Sequence, residues 1–394
     1  MTRSIPGRGY PPGFYLAVAA NFFFFTSFQW IYVTLPGYIQ EIGGDAAQIG
    51  LAFGLSTLSA IAVRPFLGTV VDRWGRKTAL LIGAGIFTLV SVLYILADTI
   101  WLLLAVRLLL GVGIAAFTTA YTALIADLAP VSRRGEALGL SGVTNNLGML
   151  FAPALGATMQ ARWGYAAHFG AAAGIAALSF VLLLPVQEVR PQESSEQAGP
   201  GFWRVARLAP VWTAAIGGTG LAVAYGVSVS FMPPLAAERG LTAAGAYFTA
   251  FALAVMSAQA SAGWLSDRIG RRAVAIPGMF AAVLAAGLLG LAGSNAALLA
   301  AGAGLGLSWG LARAGLDTMV VDAVPPQARG TALSVLYTLF DAGIGLGSFG
   351  LGLVAGTQGY APAFYAAAAW ALAILACYVV WTARGKQQGI GATE

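Results

Sequence analysis

The ten residues GTVVDRWGRK, Gly68 to Lys77, return as GWLSDRIGRR, Gly263 to Arg272, displaced by 195 residues. DLAPVSRRG (Asp127 to Gly135) returns as DAVPPQARG (Asp322 to Gly330) at the same displacement. Upstream, Pro36, Glu41 and Gly43 match Pro233, Glu238 and Gly240 at 197, which a two-residue indel explains. One matching motif could be chance. Two at a single displacement, both lying between long apolar runs, imply duplication of a unit about half the chain long. Parallel repeats of this kind place a solute path at their interface.

Outward from the repeat, composition sets the solvent. Of 394 residues 58% are hydrophobic and 9% charged, against about 25% charged in soluble domains, and the mean hydropathy is +0.79. Apolar runs of roughly 20 residues, enough to cross a bilayer, recur from end to end. Charge and turn residues divide them into spans at 14–40, 47–70, 79–97, 100–125, 136–160 and 166–187, then 210–236, 243–265, 274–293, 296–321, 331–356 and 361–383. Between the sets, Glu188 to Arg207 is rich in Pro, Glu, Ser, Gln and Gly and reads as a solvated linker. The expectation is an all-α membrane protein of 12 transmembrane helices: six-helix bundles at 1–187 and 210–394, joined by a linker at 188–209.

Lysine and arginine give the orientation. With both termini cytoplasmic, 16 of the 21 fall in inside segments, such as Arg73, Arg76 and Lys77, or Arg268, Arg271 and Arg272. Only Arg162 and Arg239 fall outside, and Arg64, Arg107 and Arg313 lie within spans. That bias over short loops is a topology signal. It also accounts for the net charge of +6 without nucleic acid. The first run, Phe14 to Tyr38, is too long for a signal-peptide core and reads as a spanning helix.

GxxxDRxGRK between spans 2 and 3, with its copy between spans 8 and 9, resembles the loop signature of the major facilitator superfamily, and the resemblance covers the whole chain. Arg107, Gly111 and Gly113 resemble the R-x-x-x-G-x-G pattern of its proton-coupled members. Gly139, Gly148, Pro153 and Gly156 resemble the motif of twelve-helix drug/proton exporters, with Ala152 and Ala157 replacing two of its glycines. RPFLGTVVDRWGRK and DAGIGLGSFGLG look most like the bacterial arabinose-efflux-like subgroup. The resemblance implies a bacterial inner-membrane antiporter, monomeric, lodged in lipid and taking a small molecule and protons. It also implies a gating motif of Gly68, Asp72, Arg73, Gly75, Arg76, Lys77 and Asp127, echoed by Asp267, Arg268 and Arg271. In that motif Asp72 holds the start of span 11 near Gly330 and a motif arginine pairs with Asp127. Ordinary basic loops are the plainer reading of the same residues.

Charged groups inside spans are costly and mark function or pairing. Here they are Arg64, Arg107, Arg313, Asp317 and Asp341. Arg313 and Asp317 are four apart on one helical face, while Asp341 lies at a depth similar to Arg313, so either acid can be the partner. Burial raises a carboxyl pKa and a nearby cation lowers it, so an Asp whose Arg partner comes and goes could carry a proton. Proton-coupling candidates are therefore Asp317, Asp341, Arg313 and, by resemblance, Arg107; a permanent structural pair is the competing reading. Arg64, nearer the cytoplasmic side, reads as structural.

Span 1, NFFFFTSFQWIYVTLP, suits a wall for a flat or apolar solute, or lipid-facing phenylalanine. By resemblance spans 1, 4, 7 and 10 line the cavity, which nominates Asn21, Phe25, Gln29, Tyr121, Tyr225 and Trp309, with Asn145 and Asn146 of span 5 as ligand contacts or interhelical glue. Phe28 and Tyr32 are less securely oriented. The lone His168 reads as an interfacial residue at the start of span 6, and the lone Cys377 sits in the last run. One histidine and one cysteine exclude a His-cluster or Cys metal site and argue against a Ser–His or Cys–His hydrolase, and no metal is expected. Neither a Walker loop nor G-x-S-x-G is present, so ATP coupling, an enzyme and a cofactor are not expected. The sequence thus points to proton-coupled export of small organic molecules by alternating access. Nutrient uptake or facilitated diffusion is the alternative among carriers, and a non-transporting receptor the alternative outside them.

Overall fold

The computed structural model describes residues 10–130, 133–188, 202–325 and 328–387, so the expected linker falls largely outside the described residues. The helices are α1 (Pro12–Glu41), α2 (Ala46–Trp74), α3 (Arg76–Leu96), α4 (Ile100–Leu128), α5 (Arg134–Leu183), the short α6 (Phe202–Ala206), α7 (Ala209–Glu238), α8 (Ala244–Ile269), α9 (Arg271–Leu291), α10 (Asn295–Asp322), α11 (Arg329–Gln358) and α12 (Tyr360–Gln387). Eleven of these are long and apolar enough to cross a membrane.

Eleven becomes twelve at α5. Its apolar stretch, Leu140–Leu183, is 44 residues long. At 1.5 Å per residue that is about 66 Å, twice the hydrocarbon thickness of a bilayer. The helix breaks at Gly164, whose φ of 77° and ψ of 178° no helical residue adopts. Its counterpart 195 residues on, Gly359 (φ 92°), separates α11 from α12. The first arm of α5 is therefore span 5 and the second span 6.

The duplication recurs in local geometry. Gly75 and Gly270, 195 apart, both take φ 95° between two spans, a left-handed turn that favours glycine. Thr99 caps α4 by accepting from the Leu102 N–H at 3.4 Å; Ser294 caps α10 by accepting from the Ala297 N–H at 3.2 Å.

The chain divides into two compact units, one of Met1–Thr34 with Leu58–Ser195 and one of Leu35–Thr57 with Glu196–Glu394. In the first, α3 packs on α4 and α5. Phe24 of α1 is fully buried and stacks on Phe117 of α4 at 3.7 Å. Ser27 and Ser179 donate to the Ala172 and Ala20 carbonyls at 2.8 and 2.7 Å, fastening α1 to the second arm of α5. His168 departs from the expected interfacial position. It is fully buried, 2.8 Å from Thr34 Oγ1 and 3.0 Å from the Gly156 carbonyl, because the break at Gly164 turns it inward against α1.

In the second unit α10 packs on α8 and α9, and α7 on α11 and α12. α7 is buried along most of its length, inside the second unit. The start of α2 also joins this unit. It meets α11 through small residues, a Cβ on Gly50 falling 2.9 Å from the Gly352 Cα and colliding with the Ser348 carbonyl. Arg239, read as an outer-loop residue, donates to the Ala292 and Gly290 carbonyls at 2.7 and 2.8 Å and so caps the end of α9.

Candidate functional site

Trp309, Arg313 and Asp317 repeat every four residues along α10 and form one stripe. Arg313 Nε lies 3.8 Å from Asp317 Oδ2, looser than the roughly 2.7–2.9 Å of a charge-assisted hydrogen bond. Tyr337 of α11 donates its hydroxyl to the same Oδ2 at 2.9 Å. Asp317 Oδ1 is buried with no hydrogen-bond partner. The Arg313 guanidinium lies 4.6 Å from the Tyr337 ring centre, 5.4 Å from Trp309 and 5.7 Å from Phe340, within cation–π range. Tyr225 stands 4.6 Å from Trp309 and 5.5 Å from Phe251, extending the aromatic wall onto α7 and α8. The Arg313 and Asp317 side chains keep 30% and 27% of their surface exposed, while Asp317 Oδ1 itself is covered. Of the two acids open to Arg313 in the sequence, the structure pairs it with Asp317. Asp341 is half-buried and acts on Arg313 electrostatically.

At the repeat displacement the counterparts of Arg313, Asp317 and Asp341 are Thr118, Thr122 and Asn146. Thr118 and Thr122 turn back on their own helix, donating to the Ile114 and Thr118 carbonyls at 2.8 and 2.9 Å. The first half thus builds the same helices without charge at these positions.

In the first unit Arg107 is 1% exposed. It lies among Phe28, Tyr32, Phe87 and Tyr94, and its guanidinium lies 6.0 Å from the Tyr32 ring centre. Asn21 is buried and donates to Asn145 Oδ1 at 2.6 Å and Thr144 Oγ1 at 3.1 Å, joining α1 to α5. Tyr121 donates to Ser141 Oγ at 2.8 Å. Phe25 is half-buried, and Gln29 is buried. Asn21 and Asn145 are therefore turned toward each other. Asn21→Ala is expected to destabilise the protein by about 1 kcal/mol, the scale of an interhelical hydrogen bond in lipid, and to lower Tm in detergent with solute affinity unchanged. Weaker solute binding at unchanged Tm would place Asn21 in a binding cavity instead.

The loop motif forms matching ion pairs. Arg76 Nε lies 3.2 Å from Asp127 Oδ2, and Arg271 Nε lies 3.1 Å from Asp322 Oδ2, both residues displaced by 195. Half-exposed pairs of this kind contribute only about 0.2–1 kcal/mol, so they suit contacts that break and reform. Lys77 donates to the Leu184 carbonyl at 2.6 Å and Arg272 to that of Thr382 at 2.8 Å, each a cation at the end of a span. Arg268 lies 4.1 Å from the Trp264 ring centre. Gly68, Asp72, Arg73 and Asp267 lie on α2 and α8, with their side chains outside the description. Sequence reasoning missed Tyr337 and Phe340, although Tyr337 stands four before Asp341. It also missed Glu188, which no local spacing marks.

Repeated loops, paired helix breaks and a helical body of twelve bilayer-length spans define a multi-pass membrane protein built from a duplicated six-span unit. The chain matches the Major Facilitator Superfamily over residues 17–247 and 214–394 and belongs to that family. The multidrug resistance protein MdtG of Serratia proteamaculans is 34% identical over 163 residues, 40% of this chain and 39% of that protein. MdtL of Escherichia coli strain K12 / DH10B is 33% identical over 175 residues, 42% and 44% of the two. The multi-drug resistance efflux pump PmrA homolog of Lactococcus lactis is 33% identical over 171 residues, 41% of each. The chain therefore spans about two fifths of the length of the curated relatives it matches. Among solved structures, a bacterial homolog of the human lysosomal transporter Spinster superposes with a TM-score of 0.79 at 19% identity, over 94% of this chain and 97% of that one. The nucleoside transporter NupG superposes with 0.76 at 14% identity, over 94% and 99%. At such identities the likeness is one of fold.

Proposed function

We propose that the chain is a proton-coupled secondary transporter of a bacterial inner membrane, with both termini cytoplasmic, that exports small organic molecules by alternating access. The observation that carries this reading is the bare Oδ1 of Asp317 beside a loosely held, partly exposed arginine. A proton bound to Oδ1 neutralises the carboxylate and releases Arg313 from it. An N–H or O–H of a solute stacked against Trp309, Tyr337 and Phe340 would occupy the same atom. Proton and solute then exclude each other, which is the condition for antiport. The neutral residues at the matching positions of the first half support a coupling role over a packing one, since the fold does without charge there. The aromatic wall favours a flat organic solute, and the similarity to multidrug resistance proteins agrees with efflux. The two loop ion pairs serve as gate contacts that hold one access state, and the monomer is the working unit.

Reconstituted protein and ethidium, a planar dye with amino donors, provide the test. An acidic lumen is expected to drive ethidium into proteoliposomes, and a protonophore to abolish the accumulation. Accumulation driven by an alkaline lumen instead would mean symport, and movement insensitive to either gradient would mean facilitated diffusion. Failure to move any solute, anionic and zwitterionic ones included, down a gradient returns the receptor reading.

A further inference from the structure

The start of α3 is held by a residue from far along the chain. Helix N-termini carry N–H groups that need partners, and the residue preceding α3, Gly75, has no side chain to offer one. Glu188 supplies it. Its carboxylate accepts from the Lys77 N–H at 3.0 Å, the Thr78 N–H at 3.2 Å and the Thr78 hydroxyl at 3.2 Å. A carboxylate at a helix N-terminus also meets the positive end of the helix dipole. The approach is close enough that a Cβ on Gly75 would collide with the Glu188 carboxyl. Lys77 Nζ, reaching the Leu184 carbonyl, ties the same segment a second time.

The repeat shows that the fold does not require this arrangement. Gly270 has the same φ, yet nothing lies within 4 Å of a Cβ built there among the described residues. The counterpart of Glu188 at the repeat displacement is Ala383. The acid is therefore an addition to one loop only. That loop presents Arg76, adjacent to the capped residues, to Asp127 at 3.2 Å.

We propose that Glu188 is a positioning residue for the gating loop: it fixes the start of α3 so that Arg76 is aimed at Asp127. Glu188 is the first residue of the expected linker between the two repeats, so the anchor of the gate and the start of the connection are one residue. This rests on the gating reading of the loop given above.

Turnover of ethidium export in proteoliposomes, measured in a double-mutant cycle, tests it. Glu188→Ala is expected to lower kcat about tenfold with KM unchanged, and Arg76→Ala to do the same. The double variant is expected to be no worse than the worse single one, because both lose the same contact. Glu188→Gln, which keeps an acceptor and loses the charge, should recover part of the turnover. Losses that multiply in the double variant overturn the proposal, as does wild-type turnover in Glu188→Ala while Arg76→Ala is impaired. Wild-type turnover in Arg76→Ala overturns the gating reading and this proposal with it. If Glu188→Ala does not fold, Thr78→Val removes one of the three bonds at nearly constant shape. A partial loss of kcat is then expected, and full turnover overturns the proposal.

Discussion

Asp317→Asn is expected to reduce pH-gradient-driven ethidium accumulation to the level of protein-free liposomes while downhill equilibration of the dye continues. The amide is nearly isosteric with the acid and can still accept the Tyr337 hydroxyl now held at 2.9 Å. It cannot take up a proton, so the solute no longer exchanges against one. A permanent structural pair predicts a different outcome, because removing one partner of a buried pair costs about 3–5 kcal/mol and would appear as loss of folded protein. The loose 3.8 Å contact, the partial exposure and the three rings around Arg313 make that loss small here. Asp341→Asn is expected to retain gradient-driven accumulation, since the atom proposed to exchange proton and solute belongs to Asp317. Transport driven normally in the Asp317 variant removes the coupling role from this residue.

Gly50→Val is expected to abolish transport with Tm changed by only a few degrees. At Gly50 the backbone of α2 rests against that of α11, with no room for a side chain beside the Ser348 carbonyl and the Gly352 Cα. Overpacking a permanent core contact costs about 1–3 kcal/mol and sometimes more, and would be read as instability. A contact made in one access state and broken in the other behaves differently: the variant abandons the state it cannot form and rests, folded, in the other. Thermal unfolding and ethidium transport on the same preparation separate the cases. Early unfolding would mark a permanent packing contact within the second unit, and normal transport a site that accommodates the side chain.

Much of this was legible in the sequence because lipid imposes simple rules. Every span appears as an apolar run, and the 195-residue displacement survives in the structure as matching turns, caps and ion pairs. The boundaries were less exact. α2 runs to Trp74, four residues beyond the expected end, because charged residues stop a membrane run without stopping a helix. The α5 break was expected as a loop, but the helix continues on either side of Gly164. At the site, Arg313 and Asp317 could be paired from their spacing alone. The choice between Asp317 and Asp341 could not, because both lie at one depth. Tyr337 and Glu188 act through contacts 20 and 111 residues away in sequence, and helical periodicity carries no signal over such separations.

Proton release on solute binding is the most direct probe of mutual exclusion at Asp317. Saturating ethidium added to the purified protein in weakly buffered detergent is expected to release protons, at most one per dye bound, and this release should vanish in Asp317→Asn. Equal release from both proteins, or none from the wild type at any pH where it binds the dye, would contradict a shared atom for proton and solute.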